Sequence, residues 1–385
     1  MINKLRFLIP AVCVLLAARC VFASESVPDL ELRDQREEVE QILQSLSLSQ
    51  KICQMFFITP EALTGASAVT RAGEITKNQI LTCPVGGLVY FEQNLQDPDQ
   101  TRDMIYGTLK DYQEAGFPAP FIGVDEEGGS VTRIAKNPAF GVRDVGDMCD
   151  IGASGNPQEA QSAGTYIGAY LQDLGFNLDF APVADVLTNT DNQVVRQRAF
   201  GSDPALVSQM VRAESEALME QGIVPVLKHF PGHGATAADT HEGYASTEKN
   251  LDEMLSSDLI PFTDAAPYAP MMMAAHISAP NVVGDDIPAS LSYVVVTEVL
   301  RERLGFQGVV ITDALNMGAI ASEYSSGEAA IKAVEAGDDI LLMPNDFQMA
   351  RSALIQAVES GEIAEGRIDE SVRRILNVKH SFGLI

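Results

Sequence analysis

Basic side chains are scarce in this 385-residue chain, where 26 Lys and Arg stand against 53 Asp and Glu for a formal charge of −27. So acidic a protein repels phosphate backbones and anionic headgroups, which excludes nucleic acid as a partner and disfavours stable membrane insertion. Cysteine is also sparse. Of five, Cys13 and Cys20 fall in the N-terminal leader described below, leaving Cys53, Cys83 and Cys149. Three thiols allow at most one disulfide, no C-x-x-C spacing points to zinc, and burial as small apolar side chains is the expectation for all three. No apolar run reaches the roughly 20 residues that span a membrane. Phe7 to Ala18 comes nearest; it follows Lys4 and Arg6 and precedes Val21-Phe22-Ala23, the pattern of a secretory signal over residues 1–23. An exported protein, periplasmic or extracellular, is therefore expected, and Arg19 just before Cys20 argues against a lipid anchor there. Also missing are low-complexity runs, heptad repeats, a Pro-, Gly- or Ser-rich linker, and a G-x-G-x-x-G after the first strand. Residues 24–385 thus read as one domain, and a doubly wound dinucleotide-binding sheet is the weaker topology. A monomer is expected.

What is present suits a large core, with 46% hydrophobic and 21% charged residues. After a charged, unpatterned stretch over 24–40, which reads as a tether or a first helical cap, short apolar runs alternate with longer helical stretches. The runs cover 53–58, 86–91, 120–125, 177–183, 223–230, 269–277, 308–314 and 338–344. Helical periodicity marks 100–115, 160–174, 206–221, 294–304, 326–336, 347–358 and 368–382. Continuous apolar strands are those buried on both faces, as parallel strands are. Eight of them alternating with helices predict an α/β fold, a single (β/α)8 barrel of TIM type.

In such a barrel the chemistry sits at the carboxyl ends of the strands. Here those ends carry a consistent polar set. Asp125-Glu126-Glu127 and Arg133 follow the third run, Asp185 and Arg198 the fourth, Lys228-His229 the fifth, His276 the sixth and Asp313 the seventh. Taken singly, Asp313 could be an N-cap for a segment 314–320 and Arg198 a surface ion-pair partner. His276 reads as a pocket residue over a satisfied core histidine. The segment KHFPGHGATAADTH, Lys228 to His241, gathers three of the chain's five histidines around Pro231, Gly232 and Gly234. Its H-x3-H spacing lies on a Pro/Gly loop and not on one helix face, so no metal and no other cofactor are expected. His233 reads as a residue that orders the loop through a backbone hydrogen bond.

KHFPGHG with Asp239-Thr240-His241, together with DEEGGSVTR, RAFGSDP and VVITDALNMGA, resembles glycoside hydrolase family 3, and within it the β-N-acetylglucosaminidases. The resemblance runs from about Ile52 to the C-terminus. It implies an exo-acting, retaining enzyme that takes terminal N-acetylglucosamine from peptidoglycan fragments or chitooligosaccharides. It assigns Asp313 as nucleophile, His241 as acid/base and Asp239 as its orienting partner, with Asp125, Arg133, Arg198, Lys228 and His229 binding the sugar. A histidine suits the acid/base role, because one group must give a proton to the leaving oxygen and later take one from water, and imidazole titrates near about 6.5. A carboxylate can hold the ring and stabilise its cation, as in a serine-hydrolase triad. The related β-glucosidases take their acid/base from a second domain, for which this chain looks too short. A β-glucosidase of the same family and a glycan-binding barrel without turnover are the alternatives.

Overall fold

The computed structural model describes residues 27–236 and 245–385. The expected signal over 1–23, and with it Cys20, lies outside the described residues; so do Asp239 and His241. All eight apolar runs contain strands: β1 (Phe56–Ile58), β2 (Gly87–Val89), β3 (Phe121–Val124), β4 (Leu178–Asp179), β5 (Val224–Phe230), β6 (Met271–Ala274), β7 (Val309–Thr312) and β8 (Leu341–Leu342). They hydrogen-bond in the order β8-β1-β2-β3-β4-β5-β6-β7, every pair parallel. A parallel bridge from Ile311 to Ile340 joins the two ends, with Thr312 N–H donating to the Ile340 carbonyl at 3.0 Å. The result is an eight-stranded barrel.

Side chains fill the interior, as the aromatic residues of β1 and β3 and the one just after β4 require. The Phe57 ring packs 6.4 Å from Phe121 and 5.2 Å from Phe180, centroid to centroid. Room for these rings comes from Gly87 and Gly123, where an added Cβ would lie 2.5 and 2.7 Å from the Phe57 ring. Each such phenyl group contributes about 1.5–3 kcal/mol by leaving water. The barrel interior below its mouth is therefore packed with side chains.

Three of the outer helices begin on an Asp-Pro or Asn-Pro pair. Asp97, Asn156 and Asp203 each accept a backbone N–H at the start of Pro98–Ala115, Pro157–Leu174 and Pro204–Glu220. The cap satisfies an orphan donor, while proline supplies a preset φ where its missing N–H costs nothing. The helix Val294–Arg303 is wound more widely, with i→i+5 bonding.

One expectation is narrowed and one changes. Of the two readings of the stretch 24–40, the helical one holds from Val27 onward: Val27–Ser45 is a helix, buried through Val39 and Leu43 and paired to the C-terminal helix Glu365–Ser381 by the Glu40–Arg373 ion pair. The cysteines are not three isolated apolar groups. Cys53 and Cys83, before β1 and β2, form a disulfide with Cα atoms 5.5 Å apart, while Cys149 is free and partly exposed.

Candidate active site

Six of the sequence-designated residues, Asp125, Arg133, Arg198, Lys228, His229 and Asp313, line one cavity of about 310 Å³ at the carboxyl ends of the strands. Parallel strands explain why. Each run ends on the same face of the barrel, so polar residues scattered over 188 positions of sequence between Asp125 and Asp313 converge there.

The wall built by β3 to β5 is one ionic network. Glu127, 2% exposed, accepts from Arg198 at 2.8 Å through both Nε and a terminal nitrogen, and from Lys228 Nζ at 2.6 Å. Burial alone would push its carboxyl up in pKa, but the Arg198 and Lys228 charges prevail and hold it far below the usual carboxylate range. Lys228 Nζ also donates to Asp125 Oδ1 at 3.0 Å. Its burial opposes the charged form, yet Glu127 and Asp125 outweigh that and raise its pKa. Arg133 reaches Asp125 Oδ2 at 3.6 Å and lies 5.7 Å from the Phe91 ring centroid. Glu126 points the other way, accepting the N–H groups of Arg133, Ile134 and Ala135 and the Tyr170 hydroxyl, which folds the DEEGGSVTR loop over the barrel end.

His229 is oriented from behind. Fully buried Asp185 meets its Nδ1 at 2.7 Å and accepts the backbone N–H of His229 and of His233 at 3.3 and 2.6 Å. Burial would raise the Asp185 pKa, but the interactions with His229 override it and keep the carboxylate ionised. With Nδ1–H donating to that carboxylate, Nε2 faces Arg198 at 3.2 Å as an acceptor. His233 bonds Thr236 through Nδ1, and its N–H to Asp185 is the backbone bond expected of it.

Asp313 follows β7 directly and caps no helix. The next helix, Gly318–Ala321, starts after Met317, and among the described residues Asp313 Oδ1 accepts only the neighbouring Ala314 N–H, at 2.8 Å. Burial opposes its ionisation, but His276, His229, that N–H and Lys228 together lower its pKa, so it stands as a carboxylate at neutral pH. His276 lies not in the pocket but behind it, fully buried. Its ring bonds Ser290 Oγ at 2.7 Å and the Ala314 carbonyl at 3.0 Å, fixing the turn that carries Asp313. The remaining wall is largely apolar, formed by Val89 at the end of β2 with Phe91 beyond it and by Leu342 at the end of β8 with Met343 beyond it. Met343 has φ 46°, the one positive φ outside glycine among the described residues, a conformation that costs on the order of 1–3 kcal/mol.

Reasoning from sequence named Glu127 and Asp185 at the strand ends but gave them no role; their partners become visible only when β3, β4 and β5 stand side by side. No group of three His, Cys, Asp or Glu among the described residues is placed to hold a metal ion, and no helix among them is long and apolar enough to cross a membrane.

Fold and site together define a (β/α)8-barrel enzyme with a carboxylate-rich pocket. The chain belongs to glycosyl hydrolase family 3, whose N-terminal domain matches residues 47–378. It is 33% identical over 320 residues to Beta-hexosaminidase A of Pseudoalteromonas piscicida, an alignment covering 77% of this chain and 53% of that protein. The chain thus spans about half the length of that relative. Beta-hexosaminidase LpqI of Mycobacterium tuberculosis is 34% identical over 284 residues, 71% of each chain. Among solved structures, a glycoside hydrolase family 3 beta-N-acetylglucosaminidase from Paenibacillus sp. str. FPU-7 superposes with a TM-score of 0.82 at 34% identity, covering 88% of this chain and 63% of that one.

Proposed function

We propose that this protein is an exo-acting, retaining β-N-acetylglucosaminidase that releases terminal N-acetylglucosamine from peptidoglycan fragments or chitooligosaccharides. The observation that carries the reading is the placement of ionised Asp313 in the same cavity as the Asp125–Lys228–Glu127–Arg198 network. A cavity of about 310 Å³ lies at the small end of ligand sites, which run about 300–1,000 Å³, and suits one terminal sugar. The names of the relatives point the same way.

In this mechanism an Asp313 oxygen attacks the anomeric carbon as the glycosidic C–O bond breaks, and the departing oxygen takes a proton from His241. Water then gives a proton to His241, attacks the same carbon and releases the Asp313 carboxylate, so that two displacements restore the starting configuration. Asp239 orients His241, a role resting on the KHFPGHG…DTH resemblance. Lys228, Asp125, Arg133, Arg198 and His229 hold the sugar hydroxyls. Their mutual bonds fix them before substrate arrives, so little ordering is left to the bound state. Export is part of the proposal, supported by the N-terminal pattern and by the Cys53–Cys83 disulfide, a bond that persists in oxidising compartments.

Release of a chromogenic phenol from the aryl β-N-acetylglucosaminide and from the aryl β-glucoside tests the reading. Turnover of the first, little of the second, and none of either by a folded Asp313→Ala variant are expected. Faster cleavage of the β-glucoside, or substantial activity in Asp313→Ala, would contradict it.

A further inference from the structure

The barrel order divides the cavity into two unlike halves. On the β3 to β5 side every polar side chain is committed to another, as described above. On the opposite side Val89, Phe91, Leu342, Met343 and Met317 present apolar surface, and among them stands one polar residue, Asn316. It is exposed, and its carboxamide makes no hydrogen bond among the described residues. The turn beneath it is rigid. Leu315 N–H donates to the Leu342 carbonyl at 2.9 Å, Met317 N–H to the Ala314 carbonyl at 3.0 Å, and His276 holds that same carbonyl. Among the described residues Asn316 is therefore an uncommitted donor and acceptor, three residues from Asp313, presented at the rim on a fixed support.

A cavity filled by one sugar leaves the leaving group at this rim. We propose that Asn316, with the Met317 and Met343 side chains, forms the subsite for the leaving sugar and reads its acetamido group. A carboxamide offers N–H and C=O together, the complement of a secondary amide, and the thioether side chains cover the methyl group. The inference rests on the N-acetylglucosaminidase reading and adds a leaving-group preference to it.

Three substrates test it: the aryl β-N-acetylglucosaminide, N,N′-diacetylchitobiose, and the disaccharide of N-acetylglucosamine β-1,4-linked to glucose, whose leaving sugar lacks the acetamido group. The wild-type protein is expected to prefer diacetylchitobiose over the glucose-ended disaccharide in kcat/KM. One neutral hydrogen bond is worth about a 3–10-fold preference, and Asn316→Ala and Asn316→Leu should both reduce that ratio to near unity. A wild-type protein without the preference, or a ratio that survives both substitutions, would overturn the subsite. Failure of the wild type to cleave the aryl β-N-acetylglucosaminide would instead overturn the proposed activity, so the two failures are distinct.

Discussion

Replacing Glu127 by glutamine removes the carboxylate shared by Arg198 and Lys228. The three bonds it accepts measure 2.6, 2.8 and 2.8 Å, and Glu127 is 2% exposed, so solvent screens little of the interaction. Glutamine leaves one neutral acceptor oxygen for the two cations; Lys228 also keeps Asp125 at 3.0 Å, but among the described residues Arg198 has no other carboxylate and keeps only the His229 ring nitrogen at 3.2 Å besides. Removing one partner of a buried ion pair costs about 3–5 kcal/mol, because the other charge is left uncompensated; the surviving Asp125 contact favours the lower end. At about 2 °C per kcal/mol for a chain of this length, the melting temperature should fall by about 5–10 °C. The pH dependence supplies a second check. Because the folded-state pKa of Glu127 lies below its unfolded value, its contribution is present above about pH 4.3 and is lost as pH falls through the folded pKa. Urea unfolding of wild type and Glu127→Gln between pH 7 and 3 should thus show a gap that is widest at neutral pH and narrows on acidification. Loss of kcat/KM by at least about tenfold should accompany it as both cations reorient. Equal stability at pH 7, or a gap that widens in acid, would refute the argument.

His241→Ala should cost on the order of 10²–10⁴-fold on a disaccharide, whose leaving oxygen needs a proton, and much less on an aryl glycoside; azide should rescue the second step, and equal losses without rescue would count against the acid/base role. Fully buried Lys379 has its Nζ 2.8 Å from Gln54 Oε1 and 5.2 Å from the Phe121 ring centroid, and burial pushes its pKa down to about 7. The unfolded chain therefore binds this proton more tightly, so Lys379 costs stability in full below about pH 7, a cost that fades toward about pH 10.4. Lys379→Met should stabilise the fold by about 1–3 kcal/mol at pH 6 and by less at pH 9; a gain that does not shrink with rising pH would contradict this. Substituting both Cys53 and Cys83 by serine releases a closure of 30 residues and should cost about 3–4 kcal/mol in urea unfolding, whereas an unchanged midpoint would show that the bond contributes nothing.

The barrel was legible because its strands are buried on both faces and read as unbroken apolar runs, so all eight appear where the pattern places them. Helix starts were less so. The periodic residues of Pro98–Ala115 and Pro157–Leu174 begin three or four positions after the caps Asp97 and Asn156, and periodicity alone misses that first turn. The full extent of Val27–Ser45 escaped because its apolar stripe is diluted by charge and is buried by docking on a helix more than 300 residues later. At the site, strand-end position was enough to mark Asp125, Lys228, His229 and Asp313. It could not show that Glu126 and Glu127, adjacent in sequence, face opposite ways, or that His276 supports the Asp313 turn from behind. Those facts depend on which strands are neighbours and on the pleat at each strand end, which a one-dimensional pattern does not carry. The Cys53–Cys83 pairing was hidden for the same reason: it joins the approaches to two strands that only the closed barrel sets side by side.

The central claim is that Asp313 becomes covalently glycosylated with retention. A 5-fluoro-β-N-acetylglucosaminyl fluoride, whose fluorine at the 5-position slows hydrolysis of the intermediate more than its formation, followed by peptic digestion and mass spectrometry, tests this most directly. The account predicts a peptide spanning Asp313 heavier by one fluorinated sugar residue, with the fragment ions placing it on that carboxylate and no adduct in Asp313→Ala. A label on another side chain, or turnover of the fluoride that never yields an adduct and releases the α-anomer first, would contradict it.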